Sequence, residues 1–173
     1  MTVIFDRNNY ITDHHIDLKP FSRIIFITND QDAIYNRFVR FNESFTTASI
    51  LPQWNHAQTQ GFVQQNLIPR NRIRFIYLFY IDPQTNTMRA IFGNRIMDCF
   101  PITSRISAQL RGICSTVNDL NIAYCENQRL QNERDDVGIA NLYARQMFDR
   151  LDIQTAYNEF LQRQLQEEGQ IFG

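Results

Sequence analysis

The stretch "PRNRIRFIYLFYIDPQTNTMRAIFG", residues 69–93, governs how the rest of the chain is read. Arg70, Arg72 and Arg74 alternate, and seven apolar residues then run without interruption from Phe75 to Ile81. Side chains of a strand point to its two faces in turn, so the three arginines share one row. A run that is apolar on both faces predicts a strand covered on both sides. Asp82-Pro83-Gln84-Thr85-Asn86 has turn composition, and Met88 to Phe92 is apolar enough to return. The stretch therefore reads as a β-hairpin whose forward arm is Ile73 to Ile81.

Upstream of it, "VIF" (3–5), "RIIFITND" (23–30) and "SFTTASI" (44–50) each read as a strand bounded by polar turn residues. Asp30 is a good N-cap for a helix carrying Ala33, Ile34, Phe38 and Phe41. A Gln-rich segment after Pro52 and Trp54 predicts a helix over His56 to Gln65. Downstream of Pro101 the period changes. Ile106, Leu110, Ile113, Val117, Leu120 and Tyr124 recur at spacings of 4, 3, 4, 3 and 4, a seven-residue seam. "QNERDDVG" (131–138) breaks the pattern. A second helical region follows, with Ala140, Tyr143, Ala144, Met147, Phe148 and Leu151 on one face, then Ile153, Tyr157, Phe160, Leu161 and Leu165, with a break near Asp152. Strands crowd the first half and helices the second, the layout of an α+β fold. The expectation is one domain over 1–173, sheet-rich over 1–100 and helical over 101–173. Its sheet would be mixed or antiparallel and packed by a helix.

Composition narrows the class. At 173 residues, 43% hydrophobic and 20% charged, the chain is long enough to bury roughly 70% of its unfolded surface. No apolar run approaches the ~18 residues that span a bilayer, and Met1 to Tyr10 lacks the pattern of a signal peptide. Cys99, Cys114 and Cys125 are an odd number without CxxC spacing, which fits buried thiols in a reducing, cytoplasmic or other intracellular setting, a host cell included. Lys19 is the sole lysine beside sixteen arginines, and Asn and Gln contribute sixteen each. Drift or nucleotide bias accounts for this, or else pressure against lysine and preference for the guanidinium fork at interfaces, as in viral and host-delivered proteins. Charge is uneven. Arg70 to Arg111 carries an excess of +5 and Glu126 to Gly173 a deficit of −4, although the whole chain is only −1.

Two candidate sites follow. Arg70, Arg72 and Arg74, with Arg89 and Arg95 across the hairpin, can grip an anion, an acidic protein surface or RNA; the alternative is a solvated strand mouth that resists aggregation. Ile106, Leu110, Ile113, Val117, Leu120 and Tyr124 are the candidate oligomerisation surface, unless the C-terminal helices cover them within the chain. "DHHID" (13–17) lacks convergent ligand spacing, so no metal is expected, nor any cofactor. No Gly-rich phosphate loop, GxSxG or HExxH marks a catalytic residue.

"SFTTASI" followed by "FIYLFYI" (75–81) is similar in order to the Ser-Thr-Ser strand and next core strand of the ADP-ribosyltransferase toxins, with Arg7 in the place of their first-strand arginine. That resemblance implies a transferase pocket holding Arg7 and Thr46/Thr47 and a catalytic glutamate on a later strand. "TSRISAQLRG" (103–112) supplies no such glutamate. The leading expectation is a non-enzymatic assembly or interaction protein, viral structural or accessory in character, that forms a homo-oligomer through its C-terminal helices without a membrane. A toxin-like transferase and a nucleic-acid-binding module are the alternatives.

Overall fold

The computed structural model describes residues 1–40, 46–50, 54–71 and 73–172. They fall into two compact units, one of residues 1–17 and 24–110, the other of residues 18–23 and 111–173.

The first unit is a five-stranded sheet: β1 (Thr2–Phe5), β2 (Ile25–Thr28), β3 (Thr46–Ile50), β4 (Ile73–Phe79) and β5 (Ile96–Phe100), in the order β2-β1-β3-β4-β5. Helices and strands mix as expected, with strands early and long helices late. The expected mixed or antiparallel pairing is corrected, because every pairing among the described strands is parallel. Parallel neighbours cannot be joined by a tight turn, and the connections accordingly carry helices. These are a short α1 (Tyr10–Asp13) with a 3₁₀ turn (Lys19–Phe21), then α2 (Gln31–Arg40), α3 (His56–Phe62) and α4 (Thr85–Phe92). A π-helical turn, Val63–Leu67, extends α3 and is closed by Ile68 N–H on the Val63 carbonyl at 3.0 Å.

The hairpin reading of residues 73–92 is corrected with it. The returning segment is α4, and the next strand is β5, which begins at Ile96. Met88 and Phe92 lie four apart and so share one helical face; Met88 is fully buried and Phe92 packs on the same core. Gly93, at φ 82 and ψ -164, ends the helix in a positive-φ conformation that is open essentially to glycine alone. The apolar run before it is β4, with Ile73, Ile76, Leu78 and Phe79 fully buried. All four residues of β1 are buried as well, as befits strands covered on both faces. The core joins Val3 and Phe5 of β1, Ile34 of α2, Phe62, Val63 and Leu67 of the α3 region, and Met88 of α4. Asp30 caps α2 by accepting the Asp32 N–H at 2.9 Å. Phe41, Ser44, Phe45, Pro52 and Arg72 lie outside the described residues.

The second unit is built on α5 (Ile106–Asn132, shared with the first unit up to Leu110) and α6 (Val137–Phe172). Asp136 starts α6, its Oδ1 accepting the Ile139 N–H at 3.1 Å. No break occurs at Asp152; at 36 residues α6 is about 54 Å long. The two helices run antiparallel. Arg111 lies over the Phe160 ring, Asn118 donates to the Arg150 carbonyl, Tyr124 meets Tyr143 edge-on, and the Cys125 thiol reaches Gln146. Residues 18–23 belong to this unit. Buried Phe21 packs on Tyr157 with ring centres 4.8 Å apart, and Arg23 approaches Asp149 at 3.9 Å.

Candidate functional site

In a parallel sheet whose strand order reverses, ligands bind beyond the carboxyl ends of the strands at the reversal. Here the reversal separates β1 from β3. The chain leaving β1 presents Asp6 and Arg7. Asp6 is buried, and both its oxygens are occupied, Oδ1 by the Tyr10 N–H and Oδ2 by the Ile11 N–H, each at 2.8 Å. It starts α1 and is a structural carboxylate. Arg7 is exposed, its guanidinium 5.6 Å above the Trp54 ring, which itself packs against Phe5 and Phe62.

Beyond β4, the fully buried Tyr80 sends its hydroxyl between two partners. It accepts the Gln84 N–H at 2.8 Å, and His56 Nδ1 lies 3.0 Å away. Cys99 is buried nearby, its backbone N–H 3.3 Å from Thr85 Oγ1. Burial pushes the Tyr80 phenol and the Cys99 thiol above their ordinary values, so both are neutral at physiological pH. The polar groups of this edge thus mostly satisfy backbone. What faces solvent is Arg7 on Trp54; Asn8, Asp30 and Asp82 are exposed as well.

Arg7 and Thr47 of the toxin-like reading stand at different levels of the sheet. Register sets Thr47 level with Thr2 at the start of β1, whereas Arg7 follows its far end. Five residues of chain, the first four of them β1, separate the two levels, at most roughly 16 Å.

The arginine row lies at the opposite, amino edge of the sheet. Arg95 donates to three main-chain carbonyls: Ile68 at 2.7 Å, Arg70 at 3.0 Å and Ile73 at 3.3 Å. Arg89 donates from Nε to the Ile96 carbonyl at 3.0 Å and from a terminal nitrogen to Met97. Arg95 thus ties the approach to β5 to the opening of β4, and Arg89 ties α4 to β5. Arg70 is half-buried, Arg74 exposed, and Arg72 lies outside the described residues. The structure brings Arg70 and Arg95 together, but through a main-chain oxygen and a guanidinium rather than as two forks facing one ligand.

Along the seam, Ile106, Leu110, Ile113 and Val117 are buried within the chain, Tyr124 is half-buried, and Leu120 is 38% exposed. The buried row then passes to Cys114, Asn118, Asn121 and Cys125. A different row is only partly covered. Val137, Asn141, Ala144, Phe148 and Leu151 recur at 4, 3, 4 and 3 on α6, with Val137 63% and Phe148 60% exposed. An open groove of about 530 Å³ runs beside it, lined by Arg129, Glu133, Val137, Ala140, Asn141, Ala144, Met147 and Phe148. Arg129 is held at its rim by Glu126 at 2.7 Å, a bond that raises the guanidinium pKa further. The signal for this row was present in the sequence, since Ala144, Phe148 and Leu151 stood beside Ala140, Tyr143 and Met147. One helix face against one partner is too narrow to cover both sets.

The first unit is therefore an open parallel α/β sheet, and the second a helical hairpin with a partly covered row that exposes Val137 and Phe148. Comparison with protein-family models, with curated proteins and with solved structures found no match to this chain. Among the described residues, no helix is long and apolar enough to cross a membrane, and no group of three or more His, Cys, Asp or Glu side chains is placed to hold a metal ion.

Proposed function

We propose that this chain is a non-enzymatic assembly protein that self-associates through its C-terminal helices, using the outer row of α6 rather than the α5 seam. The observation that carries the reading is Phe148, a large apolar side chain left 60% exposed beside an apolar groove on a two-helix hairpin. Two helices alone cannot enclose a core, and a large uncovered apolar strip on one marks a contact surface. Leu130, Leu142 and Leu165 are also more than half exposed. The lone lysine and the three buried, free cysteines fit an intracellular setting, a virus-infected cell included. Light scattering coupled to size exclusion tests the reading. The wild-type chain is expected to form a discrete oligomer at about 100 µM, and Phe148→Glu a monomer. A wild-type monomer at that concentration overturns it.

A second reading rests on the strand order. The reversal between β1 and β3 favours a small ligand over the Arg7–Trp54 pair, with the exposed guanidinium meeting its anionic group. Titration of Arg7→Gln against wild type with inorganic phosphate and nucleotides, followed by Trp54 fluorescence, separates the two. An acidic partner or RNA on the arginine row has less support, because Arg89 and Arg95 already serve backbone carbonyls.

A further inference from the structure

Resting on the self-association reading, the geometry points to its form: an antiparallel, two-fold pairing of α6 with α6 of a second copy, centred near Phe148 and fixed by Arg145 and Asp152. On a helix advancing 100° per residue, Val137, Asn141, Ala144, Phe148 and Leu151 fall within an arc of about 80°, and Arg145 and Asp152 border that arc on the same side. Both charged residues are exposed, and neither has an ion-pair partner among the described residues. They stand about equally far from Phe148 along the axis, the cation toward the amino end and the anion toward the carboxyl end.

A face that reads cation, aromatic, anion along one helix is self-complementary under a two-fold axis perpendicular to it. Turning a copy end for end sets Arg145 against Asp152 of the other copy twice. In the same register Phe148 meets Leu151, Ala144 meets Thr155, and Asn141 meets Asn158, each pair occurring twice. The small side chain of Ala144 along the groove lets the second helix approach closely. A parallel pairing would instead place Arg145 and Asp152 on opposite flanks of the contact in the two copies, so neither would meet its opposite charge. With one helix per copy in contact the interface is small, so the dimer is expected to be in micromolar exchange.

Charge reversal tests this on the full chain. Arg145→Asp and Asp152→Arg are each expected to weaken the dimer by about tenfold or more, and the double variant Arg145→Asp/Asp152→Arg to restore it to within about threefold of wild type. Both positions are exposed, and circular dichroism verifies that each variant keeps its helices. A spin label at Asn141→Cys supplies a second readout, the native cysteines being buried. The label pair should be offset by about 24 Å along the helix axes, not side by side. If Phe148→Glu dissociates the oligomer while the double variant fails to restore it, or the labels lie side by side, the register falls and self-association stands. If the wild-type chain is monomeric, self-association itself falls.

Discussion

Arg95 decides what the arginine row is for. Its guanidinium donates to the carbonyls of Ile68, Arg70 and Ile73, which belong to the segment leading into β4, from a position directly ahead of β5. Each hydrogen bond to a charged donor contributes about 1.5–3 kcal/mol in favourable cases. The three share one group that is partly open to water, and they do not add fully. The expected cost of Arg95→Ala is therefore about 2–3 kcal/mol, or about 5–10 °C in melting temperature for a chain of this length. Arg95→Lys should recover less than half, since one ammonium cannot serve three carbonyls in the geometry of a planar fork. Trp54, the only tryptophan, sits in the same unit and reports its melting directly. Exposed Arg163→Gln controls for losing a cation and should stay within about 0.5 kcal/mol. A melting temperature for Arg95→Ala within about 1 °C of wild type, accompanied by loss of heparin binding, would refute the structural assignment and restore Arg95 to an anion site.

Two other changes probe the sheet-bearing unit. Tyr80→Phe removes the acceptor of the part-buried Gln84 N–H and the partner of His56, and is expected to lower stability by about 0.5–1.5 kcal/mol in urea unfolding; no measurable change would mean that water serves Gln84 equally well. Alkali should destabilise the same unit. Tyr77, Tyr80 and Cys99 are all raised by burial above ordinary values of 10.0 for Tyr and 9.0 for Cys. Where the unfolded chain has lost these protons and the folded chain retains them, the folded state binds more protons and stability falls with rising pH. The urea midpoint should hold steady to about pH 8.5 and decline above about pH 9, and a flat profile to about pH 10.5 would contradict it.

The parallel sheet was only half legible in the sequence. β1, β2 and β4 announce themselves through short apolar runs closed by polar turns, and the doubly apolar face of β4 already implied cover on both sides. What misled was Met88 to Phe92. An apolar residue at each end of five fits a strand edge or one helical face equally well, and only the core decides between them. β5 was hidden for the opposite reason. "RIMDCF" places Asp98 in its centre, and a charged residue in a five-residue strand argues locally against burial. In the fold Asp98 is half-exposed, its carboxylate accepting the Cys99 N–H at 2.9 Å and facing the Thr85 hydroxyl.

The helices pose the converse problem. A seven-residue seam can be read from a sequence without revealing which helix will cover it, because the same period serves contacts within a chain and between chains. The α5 seam keeps to one row only as far as Val117. Asn118 then takes the buried place, with its amide on the Arg150 carbonyl and its own Oδ1 without a partner. A half-satisfied amide buried between two helices costs stability, and it is tolerated where it fixes one register. That register aligns Tyr124 with Tyr143 and Cys125 with Gln146, and it turns Phe148 outward. The polar residue inside the hairpin thus determines which apolar residues remain outside it. Register within the chain and the proposed association between chains both depend on this placement, and replacing Asn118 should disturb both.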